Sequence, residues 1–408
     1  IAASCCSNES VAKPEAAGAA GAAGVSSRAQ QLAAAEAAFR ARMAGRVPQP
    51  TGQLDEATLR RCRAVVVQGW LRGADSAAVA APAAGWTPVG STPPVVVLTY
   101  MTDHPPRGAR WLLGESAALH GFPSAVAGLG RGYTDSTTKA AGARRAVQLL
   151  RAAGADVVIV ADALDTMLTS PARGAHGGAG GHGGLASVGG GSGRVLVGAE
   201  CNSWPTCMKE AYAADAWHQA CRLKSHTCFP NGGAAVGGVD ALTRTQPQLQ
   251  RLAVQAANDQ AGVHQLYLQQ GPLGLNVTID GDAALFLSLH RCDHHRRKTK
   301  FCHYGVEHDP LPHVHFDGAA LTYRHRDEDG RTLRETRPML VHANGDHSRL
   351  DLVWRRAMNA SAEWRAAPSA LRGHEVMVVD ADEAAGGACS LSSVGALSDA
   401  APAERSPT

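Results

Sequence analysis

The sequence predicts an α/β fold, and three observations along the chain support that prediction. Apolar runs rich in valine, typical of strands buried on both faces, occur at residues 95–100, 156–161 and 194–198. A segment with helical spacing of its apolar residues, 140–153, separates the first two runs. Acidic residues follow the second and third runs, at the strand ends where ligands of open α/β sheets bind.

The segments outside the predicted α/β domain differ from it in composition. Residues 1–27 and 380–408 are rich in Ala, Gly and Ser, and we expect both to be disordered tails. Residues 28–66 have helical spacing and are interpreted as a helical stem whose second half weakly resembles a peptidoglycan-binding module. The domain itself is expected to span residues 94–356, with a mobile Gly/His-rich loop at 173–193.

The composition argues against two classes of partner. The 408 residues carry a formal net charge of +3 and no basic run interleaved with aromatic residues, so we expect no nucleic-acid partner. No apolar stretch reaches the roughly 18 residues of a membrane span, so we expect no span in this chain. Because the chain begins with Ile1, any secretory signal is expected to lie outside it.

The cysteines and glycosylation sequons favour an oxidising compartment. The chain has 10 cysteines, several of them clustered without the paired CxxC spacing of a zinc site, and it also contains Asn-x-Ser/Thr sequons. We therefore predict a disulfide-containing glycoprotein of the endoplasmic reticulum or Golgi lumen, or a secreted protein, with the cysteine pairing left open. The cysteines and sequon asparagines concerned are Cys201, Cys207, Cys221, Cys228, Cys292, Cys302, Asn8, Asn276 and Asn359.

The second predicted strand ends on an acidic motif, Asp162-Ala-Leu-Asp165. Two carboxylates at this spacing suit a hard divalent cation, which prefers oxygen ligands and shares them with substrate phosphates. The same pattern also fits a strand-end Asp that caps the following helix. The motif alone leaves both interpretations open.

The order of further motifs along the chain is more specific than any one of them. These motifs are Val95–Tyr100, Leu129-Gly-Arg-Gly132, Asp162-Ala-Leu-Asp-Thr166, Gly198-Ala-Glu-Cys-Asn-Ser-Trp-Pro205, Phe229-Pro-Asn-Gly-Gly233, Asn258-Asp-Gln260, Leu266-Tyr-Leu268 and Val341-His-Ala-Asn-Gly345. In this order they resemble the glycosyltransferase domain of the procollagen lysyl hydroxylases and of related collagen galactosyltransferase-like proteins. The resemblance covers roughly residues 94–356, about two thirds of the chain.

The resemblance implies a GT-A fold that binds a UDP-sugar through Mn²⁺ or another divalent cation. The implied metal ligands are Asp162, Asp165 and His342, which leave open positions for diphosphate oxygens. The implied donor is UDP-galactose or UDP-glucose. The implied acceptor is a hydroxyl of a secreted or extracellular-matrix-type protein, such as collagen hydroxylysine, or of a glycan.

The resemblance also implies residues that contact the donor. Asn344 and Gly345 are expected to approach the phosphates, Gly345 through an unhindered backbone. Thr99, at the end of the first strand, is expected beside the uridine, and Asn231 beside the sugar. Asp162 is expected to serve the donor as well as the metal.

Three residues are the candidates for the catalytic side of the site. Asp259 matches the second Asp of an Asp-Asp-Gln motif and is the first choice for orienting or deprotonating the acceptor hydroxyl. Asn258 occupies the first position of that motif. Glu200 matches the Ala-Glu…Trp-Pro segment of the family, although a surface glutamate in a disulfide-tied loop would look the same.

The sequence departs from the family pattern at three places around the expected site. Asn258 stands where the family has Asp, which removes one negative charge. Arg144 is interpreted as the replacement for a phosphate-binding lysine, with a different geometry. Leu164 replaces an aromatic residue that would stack on the uracil. These departures keep open a catalytically weak binding or scaffold module as the alternative function.

Two other sites compete for the histidines. His315 and Asp317, together with His342, imitate the facial triad of an iron(II) oxygenase, although the expected dense series of strands is missing. A zinc site is the other, but a disulfide between its two cysteines and a simple loop insertion are both favoured over it. Its residues would be Cys292, His294, His295, Cys302 and His303.

Overall fold

The structure is a computed structural model that describes most of the chain between residues 95 and 390. The described residues are 95–101, 111–128, 136–152, 154–170, 185, 193–203, 212, 215, 218, 221, 227–256, 258–291, 309–326, 331–372, 376–381 and 389–390. The predicted N-terminal tail and helical stem lie outside them, and so do the Cys/His cluster at 292–303 and nearly all of the predicted loop at 173–193.

The described strands of the central sheet number eight, and they run parallel except at two places. Across the sheet the strands are β14 (Cys389–Ser390), β13 (Val376–Ala381), β2 (Ser124–Ala127), β1 (Val95–Tyr100), β3 (Val157–Asp162), β6 (Phe229–Gly238), β5 (Arg194–Glu200) and β7 (Asn276–Ile279). Strand β6 is antiparallel to both of its neighbours, β3 and β5, so these two neighbours point in the same direction. The short β14 at one edge is antiparallel to β13.

The described helices, in chain order, are α1 (Leu112–His120), α2 (Ser136–Ala152), α3 (Val239–Ala256), α4 (Asp259–Leu268), α5 (His347–Ala360) and α6 (Ala362–Arg372). Helices α2, α3 and α4 pack on one face of this sheet and α1 on the other, whereas α5 and α6 pack in a separate apolar cluster. The predicted strands at 95–100, 156–161 and 194–198 and the predicted helix at 140–153 are confirmed as β1, β3, β5 and α2, with small shifts of their ends.

The valine-rich character of the strands follows from burial on both faces. In β1, Val96 and Leu98 pack with Leu150 of α2, while Val95 and Val97 pack on the opposite face with Leu113 of α1. Successive side chains of a strand point to opposite faces, so a strand covered on both sides needs apolar residues at every position. The structure therefore confirms an α/β fold with a mixed sheet.

Two smaller sheets complete the described strands. One has the order β4 (Thr166–Leu168), β12 (Leu340–His342), β8 (Phe286–Ser288), with β12 antiparallel to β4 and parallel to β8. The other is an antiparallel meander of β9 (Val314–Asp317), β10 (Ala320–Arg326) and β11 (Thr332–Thr336), preceded by a 3₁₀ helix at Leu311–His313.

The folded region continues past the predicted domain end at residue 356, which lies inside α5. Trp364 of α6 is fully buried, its ring centroid lies 5.3 Å from that of Trp354, and its indole N–H donates to the carbonyl of Ala319. Strand β13 pairs in parallel with β2 and crosses residue 380, where the tail was predicted to begin. The motif resemblance reaches only to about residue 356, so it did not include these C-terminal elements.

Two further predictions, on disulfides and on membrane spans, concern residues that the structure describes. Cys221 and Cys228 form a disulfide. None of the helices in the described part of the chain combines the length and the apolar character needed to cross a membrane.

Candidate metal centre and active site

The carboxyl ends of β1 and β3 form the most informative edge of the sheet. Tyr100 and Asp162 are paired across these two parallel strands. Because β2 and β3 lie on opposite sides of β1, the chain reverses its direction of winding here, and such switch points open a crevice for ligands. Glu200 ends β5, which points the same way as β3, so it faces this edge too.

Three side chains from distant parts of the chain meet at this edge. One ligand atom each from Asp162, Asp165 and His342 lies within 4.8 Å of the others. The Nε2 of His342 is 3.2 Å from an oxygen of Asp165, which is 177 residues away along the chain. The same nitrogen is 3.4 Å from an oxygen of Asp162.

Local pairing explains why the histidine reaches the acidic motif. Strand β4 begins directly after Asp165, and its Thr166 pairs with His342 of the antiparallel β12. The N–H of Ala343 donates to the carbonyl of Asp165 at 2.8 Å, which closes the ladder at its end. The hydroxyl of Thr166 donates to the carbonyl of Asp162 and holds the turn between the two aspartates.

The turn after His342 is shaped by two residues with positive φ. Asn344 has φ of 51° and Gly345 has φ of 82°, a region that asparagine tolerates and glycine favours. This conformation aims the N–H of Gly345 at a carboxylate oxygen of Asp165, 2.7 Å away. The turn therefore orients one of the candidate metal ligands directly.

The absence of a side chain at Gly233 of β6 makes room for the ring of His342. A Cβ at this glycine would lie 2.0 Å from Cε1 and 2.4 Å from Nε2 of the His342 ring. The register between β5 and β6 shifts here, so that Gly198 pairs with Asn231 although Val197 pairs with Ala235. Such an irregularity bends a strand and re-aims its residues, and here it brings the backbone of Gly233 against the imidazole.

The electrostatics of the three residues are strongly coupled. Burial alone would lower the pKa of His342, but hydrogen bonds and charge from Asp162 and Asp165 outweigh it and raise the pKa to about 9. Burial would raise the pKa of Asp162, but the charges of Lys139 and His342 hold it well below its usual range. The pKa of Asp165 is lowered by His342 in the same way, against the effect of burial.

Lys139 is a site residue that the sequence interpretation missed. Its Nζ contacts an oxygen of Asp162 and lies 3.5 Å from an oxygen of Asp259. It sits in the first turn of α2, and α2 runs away from the ligand-binding edge towards the start of β3. Its early position in the helix was the available signal, because the N-terminus of a helix that precedes a parallel strand lies at the carboxyl edge of the sheet.

Arg144, which was expected to take the lysine's place, points elsewhere. Its guanidinium donates to the side-chain oxygen of Gln250 on α3 at 3.0 Å. It lies five residues beyond Lys139 in α2, about 7.5 Å further along the helix axis at 1.5 Å per residue. Lys139 therefore contacts the acidic motif, and Arg144 joins two helices.

Thr99 also differs in its surroundings from a residue that faces a ligand. Its side chain is buried, and its hydroxyl donates to the carbonyl of Ala161 in the neighbouring strand at 2.8 Å. This bond ties β1 to β3 just before Asp162. The hydroxyl therefore has a structural role in the described state.

Glu200 lies on the inner side of the same edge and is only 4% exposed. The amide of Asn344 donates to one of its oxygens at 2.6 Å, and the amide of Gln260 donates to the other at 2.9 Å. Burial raises the pKa of Glu200 to about 7, against the opposing effects of His342 and of hydrogen bonds from Asn231 and Asn344. Glu200 is thus a buried carboxyl group held by amides.

Asn231 and Gln260 shape the bend of β6 next to Glu200. The side-chain oxygen of Asn231 accepts the N–H of Gly233 at 2.9 Å. The amide of Gln260 donates to the carbonyl of Pro230 at 2.6 Å, and its oxygen accepts the N–H of Gly232 at 2.5 Å. Both side chains therefore support the strand segment that carries Gly233.

Asn258 and Asp259 start helix α4 at this edge. Asn258 is the N-cap, and its side-chain oxygen accepts the N–H of Ala261 at 2.9 Å, which is the usual role of asparagine at this position. Asp259 remains partly exposed, with 26% of its side chain accessible, and faces Lys139. Of the expected catalytic residues, Glu200 is buried, whereas Asn258 and Asp259 are partly exposed.

The oxygenase alternative is not assembled by the fold. Among the described residues, Asp162, Asp165 and His342 are the only group of three or more potential ligands whose atoms lie close together. His315 and Asp317 lie on β9 of the separate meander sheet. The ring of His342 instead contacts Asp162 and Asp165. The zinc alternative lies outside the described residues.

The donor set fits a divalent cation of the Mg²⁺, Ca²⁺ or Mn²⁺ type. Hard cations take oxygen ligands at about 2.0–2.6 Å, so two ligands of one ion are separated by at most about 5 Å. The three ligand atoms meet this condition at 4.8 Å or less. The two carboxylates are partly accessible, with 27% and 14% of their side chains exposed, which leaves room for ligands from a substrate.

No protein-family model matches this chain, and no curated protein sequence matches it either. Conclusions about function therefore depend on the geometry of these residues and on the motif resemblance.

Proposed function

We propose that this protein is a divalent-metal-dependent hexosyltransferase that moves galactose or glucose from a UDP-sugar to a hydroxyl of a protein or glycan acceptor. The observation that carries the proposal is the convergence of Asp162, Asp165 and His342 at the carboxyl edge of the sheet. The motif resemblance names these three residues as a metal site, although 177 residues separate Asp165 from His342. Their meeting in space is independent of that resemblance.

The arrangement of the sheet supports the GT-A assignment that belongs to this proposal. The acidic motif follows a parallel strand at a switch point, where nucleotides bind in α/β folds. The second candidate element, Glu200, ends a strand that points to the same edge. A donor bound across β1 and β3 would place its sugar towards β5 and α4.

In this proposal Asp162, Asp165 and His342 would hold Mn²⁺, which would supply positive charge against the UDP leaving group. The chain's own residues do the rest. Lys139 offers an ammonium to the diphosphate beside Asp162, and the turn at Asn344 and Gly345 shapes the surface on which the phosphates lie. Asp259, next to Lys139 and partly exposed, accepts the proton of the acceptor hydroxyl.

The compartment and the acceptor are part of the same proposal. The disulfide between Cys221 and Cys228 supports an oxidising lumen of the secretory pathway. A hydroxylysine-bearing or other hydroxyl-rich extracellular protein is the acceptor that the motif resemblance favours.

A second candidate function is a binding module that uses the same fold with little catalysis. The observation in its favour is the contact between Lys139 and Asp162, because a lysine and a protonated His342 neutralise the two aspartates without any metal. A binding module of this kind would bind UDP-sugars weakly or not at all and would gain nothing from Mn²⁺.

The test is the release of UDP from UDP-galactose and from UDP-glucose, with Mn²⁺ or with a chelator, in the wild-type protein and in Asp165→Ala. We expect Mn²⁺-dependent UDP release that falls by at least about 100-fold in Asp165→Ala, because loss of a direct ligand should cost at least as much as the 10- to 100-fold loss typical of residues that only orient ligands. Asp282→Ala is the matched control, because Asp282 is a mostly exposed carboxylate paired with Arg334 away from the site.

Two results would decide against the enzyme. Absence of UDP release with either donor, together with UDP binding that Mn²⁺ does not affect, would leave the binding module. Equal activity in Asp165→Ala and Asp282→Ala would show that the acidic motif does not hold the metal.

A further inference from the structure

A chain of polar contacts that leads to the metal centre starts at two buried residues, Tyr212 and His264 of α4. The hydroxyl of Tyr212 lies 2.7 Å from Nδ1 of His264, and both residues are fully buried. Nε2 of His264 is 3.4 Å from the amide nitrogen of Gln260. Gln260 and His264 are four residues apart in α4, so they lie on one face of the helix.

The orientation of the Gln260 amide is fixed by its other partners. Its oxygen accepts the N–H of Gly232, and its nitrogen faces the carbonyl of Pro230 and the carboxyl of Glu200. A flipped amide would place its oxygen against these two acceptors. The nitrogen therefore carries its two hydrogens towards Pro230 and Glu200, and the longer contact to His264 shares one of them.

This orientation selects the tautomer of His264. A hydrogen on Nε2 would face the N–H₂ group of Gln260, donor against donor. The compatible form has Nε2 as acceptor and its hydrogen on Nδ1, donating to the oxygen of Tyr212. Tyr212 thus stabilises the Nδ1–H tautomer of His264, which is compatible with the contacts of the Gln260 amide.

The same contacts continue from Gln260 to the metal centre. Gln260 holds one oxygen of Glu200, and the other oxygen accepts from the amide of Asn344 at 2.6 Å. Asn344 has positive φ and precedes Gly345, whose N–H holds Asp165 at 2.7 Å. The buried chain therefore ends on a carboxylate of the candidate metal site.

We propose that Tyr212 and His264 are positioning residues for the metal centre, acting through Gln260 and Glu200 on the turn that holds Asp165. The proposal rests on the proposed function, because it assigns a role towards the metal that Asp165 would bind. It also assigns Glu200 a positioning role, in place of the catalytic role expected from the sequence. Glu200 is buried and contacts Asn344 and Gln260, whereas Asp259, at the start of α4, is partly exposed.

The first test compares Tyr212→Phe with Tyr267→Phe. The two tyrosines stack with ring centroids 6.1 Å apart, and each loses one hydroxyl. The hydroxyl of Tyr267 donates to Asp215, outside the contacts that lead to Gln260. We expect Tyr212→Phe to weaken Mn²⁺ binding by about tenfold, at the low end for residues that orient metal ligands, and Tyr267→Phe to leave it unchanged.

A spectroscopic signature separates positioning from general damage. In protein labelled with ¹⁵N-histidine, the His264 resonances should report the Nδ1–H tautomer in the wild type and in Tyr267→Phe. They should change towards Nε2–H or a mixture in Tyr212→Phe, at unaltered secondary structure. Equal Mn²⁺ affinity and the same His264 tautomer in both variants would overturn the proposal.

Glu200 gives a second and independent test. In Glu200→Gln the new amide retains an oxygen for Gln260, and Asn344 can flip its own amide because its other partner, the hydroxyl of Ser288, both donates and accepts. We expect Glu200→Gln to retain Mn²⁺ affinity and UDP release within about threefold, and Glu200→Ala to lose about tenfold in Mn²⁺ affinity. Loss of turnover in Glu200→Gln at unchanged Mn²⁺ affinity would make Glu200 catalytic and overturn its positioning role.

The failure of this inference differs from the failure of the proposed function. If the wild-type protein binds Mn²⁺ and the variants match it, the positioning chain is wrong and the enzyme proposal stands. If the wild-type protein does not bind Mn²⁺ at all, both are wrong.

Discussion

The two halves of the candidate site are built on different physical principles. On the outer half, Asp162, Asp165, Lys139 and His342 hold one another by charge, and the two carboxylates remain partly exposed. On the inner half, Glu200 is buried among amide groups. The outer half therefore responds to protons and cations that compete for its charges. The inner half, where burial raises the pKa of Glu200 to about 7, depends on the fit of its amide groups.

The halves meet at two points of the backbone. Gly233 lies against the ring of His342 and belongs to the strand segment that Gln260 supports. Gly345 donates to Asp165 and follows Asn344, which Glu200 holds. Damage to the inner half is therefore expected to reach the metal ligands through these two glycines.

The strongest expected effect that separates the halves is the effect of pH on metal binding. His342 has a pKa of about 9 in the metal-free protein and is protonated at neutral pH, so a metal must displace its proton. The apparent Mn²⁺ affinity should rise about tenfold per pH unit between about pH 6 and pH 8. Calorimetric titration in two buffers of different ionisation enthalpy should show release of about one proton.

The stability of the metal-free protein should change in the opposite direction. Because the folded pKa of His342 is raised from 6.5 to about 9, its contribution to the free energy of unfolding is complete below about pH 6.5 and is lost as the pH rises through 9. His325→Gln is the control, because burial lowers the pKa of His325 to about 4 and keeps this side chain neutral over this pH range.

The metal titration has a contradicting outcome of its own. An Mn²⁺ affinity independent of pH would mean that His342 is not a ligand.

The substitution Gly233→Ala tests the point where the halves meet. The new Cβ would lie about 2 Å from the His342 ring, so the ring must move away from the aspartates. We expect Mn²⁺ affinity to fall about 10- to 100-fold and the free energy of unfolding to fall by about 1–3 kcal/mol. Gly271→Ala is the control, because no atom lies within 4 Å of a Cβ at this position. Calorimetry and thermal unfolding should show an unchanged Mn²⁺ affinity and an unchanged free energy of unfolding.

An unchanged Mn²⁺ affinity in Gly233→Ala would separate the two halves. The histidine would then have room to adapt, and its position would depend on the pairing of β12 with β4 alone.

Lys139→Met should affect the metal and the donor in opposite directions. Removal of the ammonium frees an oxygen of Asp162, so the affinity for Mn²⁺ alone should rise about two- to fivefold, the range for partly exposed ion pairs. The affinity for the UDP-sugar should fall, because the diphosphate loses a cation. Arg151→Met is the matched control, since Arg151 on the same helix pairs with Asp240 at the surface.

Calorimetric measurement of the affinities for Mn²⁺ and for the UDP-sugar tests this role of Lys139. If Lys139→Met lowers both affinities equally, Lys139 supports the structure of the acidic motif and does not contact the donor.

The parts that sequence could predict are those that depend on local pattern. The valine runs predicted β1, β3 and β5 because burial on both faces requires apolar residues at every position. The strand ends then placed Asp162 and Glu200 at one edge. His342 depended on the resemblance, because a short strand such as β12 has no periodicity that could bring it to Asp165.

The parts that sequence could not predict depend on the direction of side chains. Arg144 and Lys139 lie on one helix, and only the start of that helix relative to the sheet decides which of them meets the acidic motif. The sequence also did not reveal that Glu200 is buried and held by amide groups. Thr99 was expected beside the uridine, and its position at a strand end did not reveal that its hydroxyl donates to the next strand.

The smallest expected effect concerns Leu164, in the turn between the two aspartates. Its side chain is 42% exposed at the mouth of the outer half, where the resemblance implies an aromatic residue that stacks on the uracil. Leu164→Tyr should raise the affinity for UDP in the presence of Mn²⁺ about threefold, within the 0.5–1.5 kcal/mol of an aromatic pair. Leu333→Tyr, at a more exposed leucine of the meander sheet, is the control.

The affinities of Leu164→Tyr for UDP and for inorganic diphosphate, both with Mn²⁺, show whether the base or the diphosphate binds more tightly. A gain for UDP without a gain for diphosphate places the base over residue 164. An equal gain for both ligands, or the same gain in Leu333→Tyr, would contradict stacking at this turn. The nucleoside would then bind elsewhere along the edge, and the outer half would recognise the donor through its diphosphate alone.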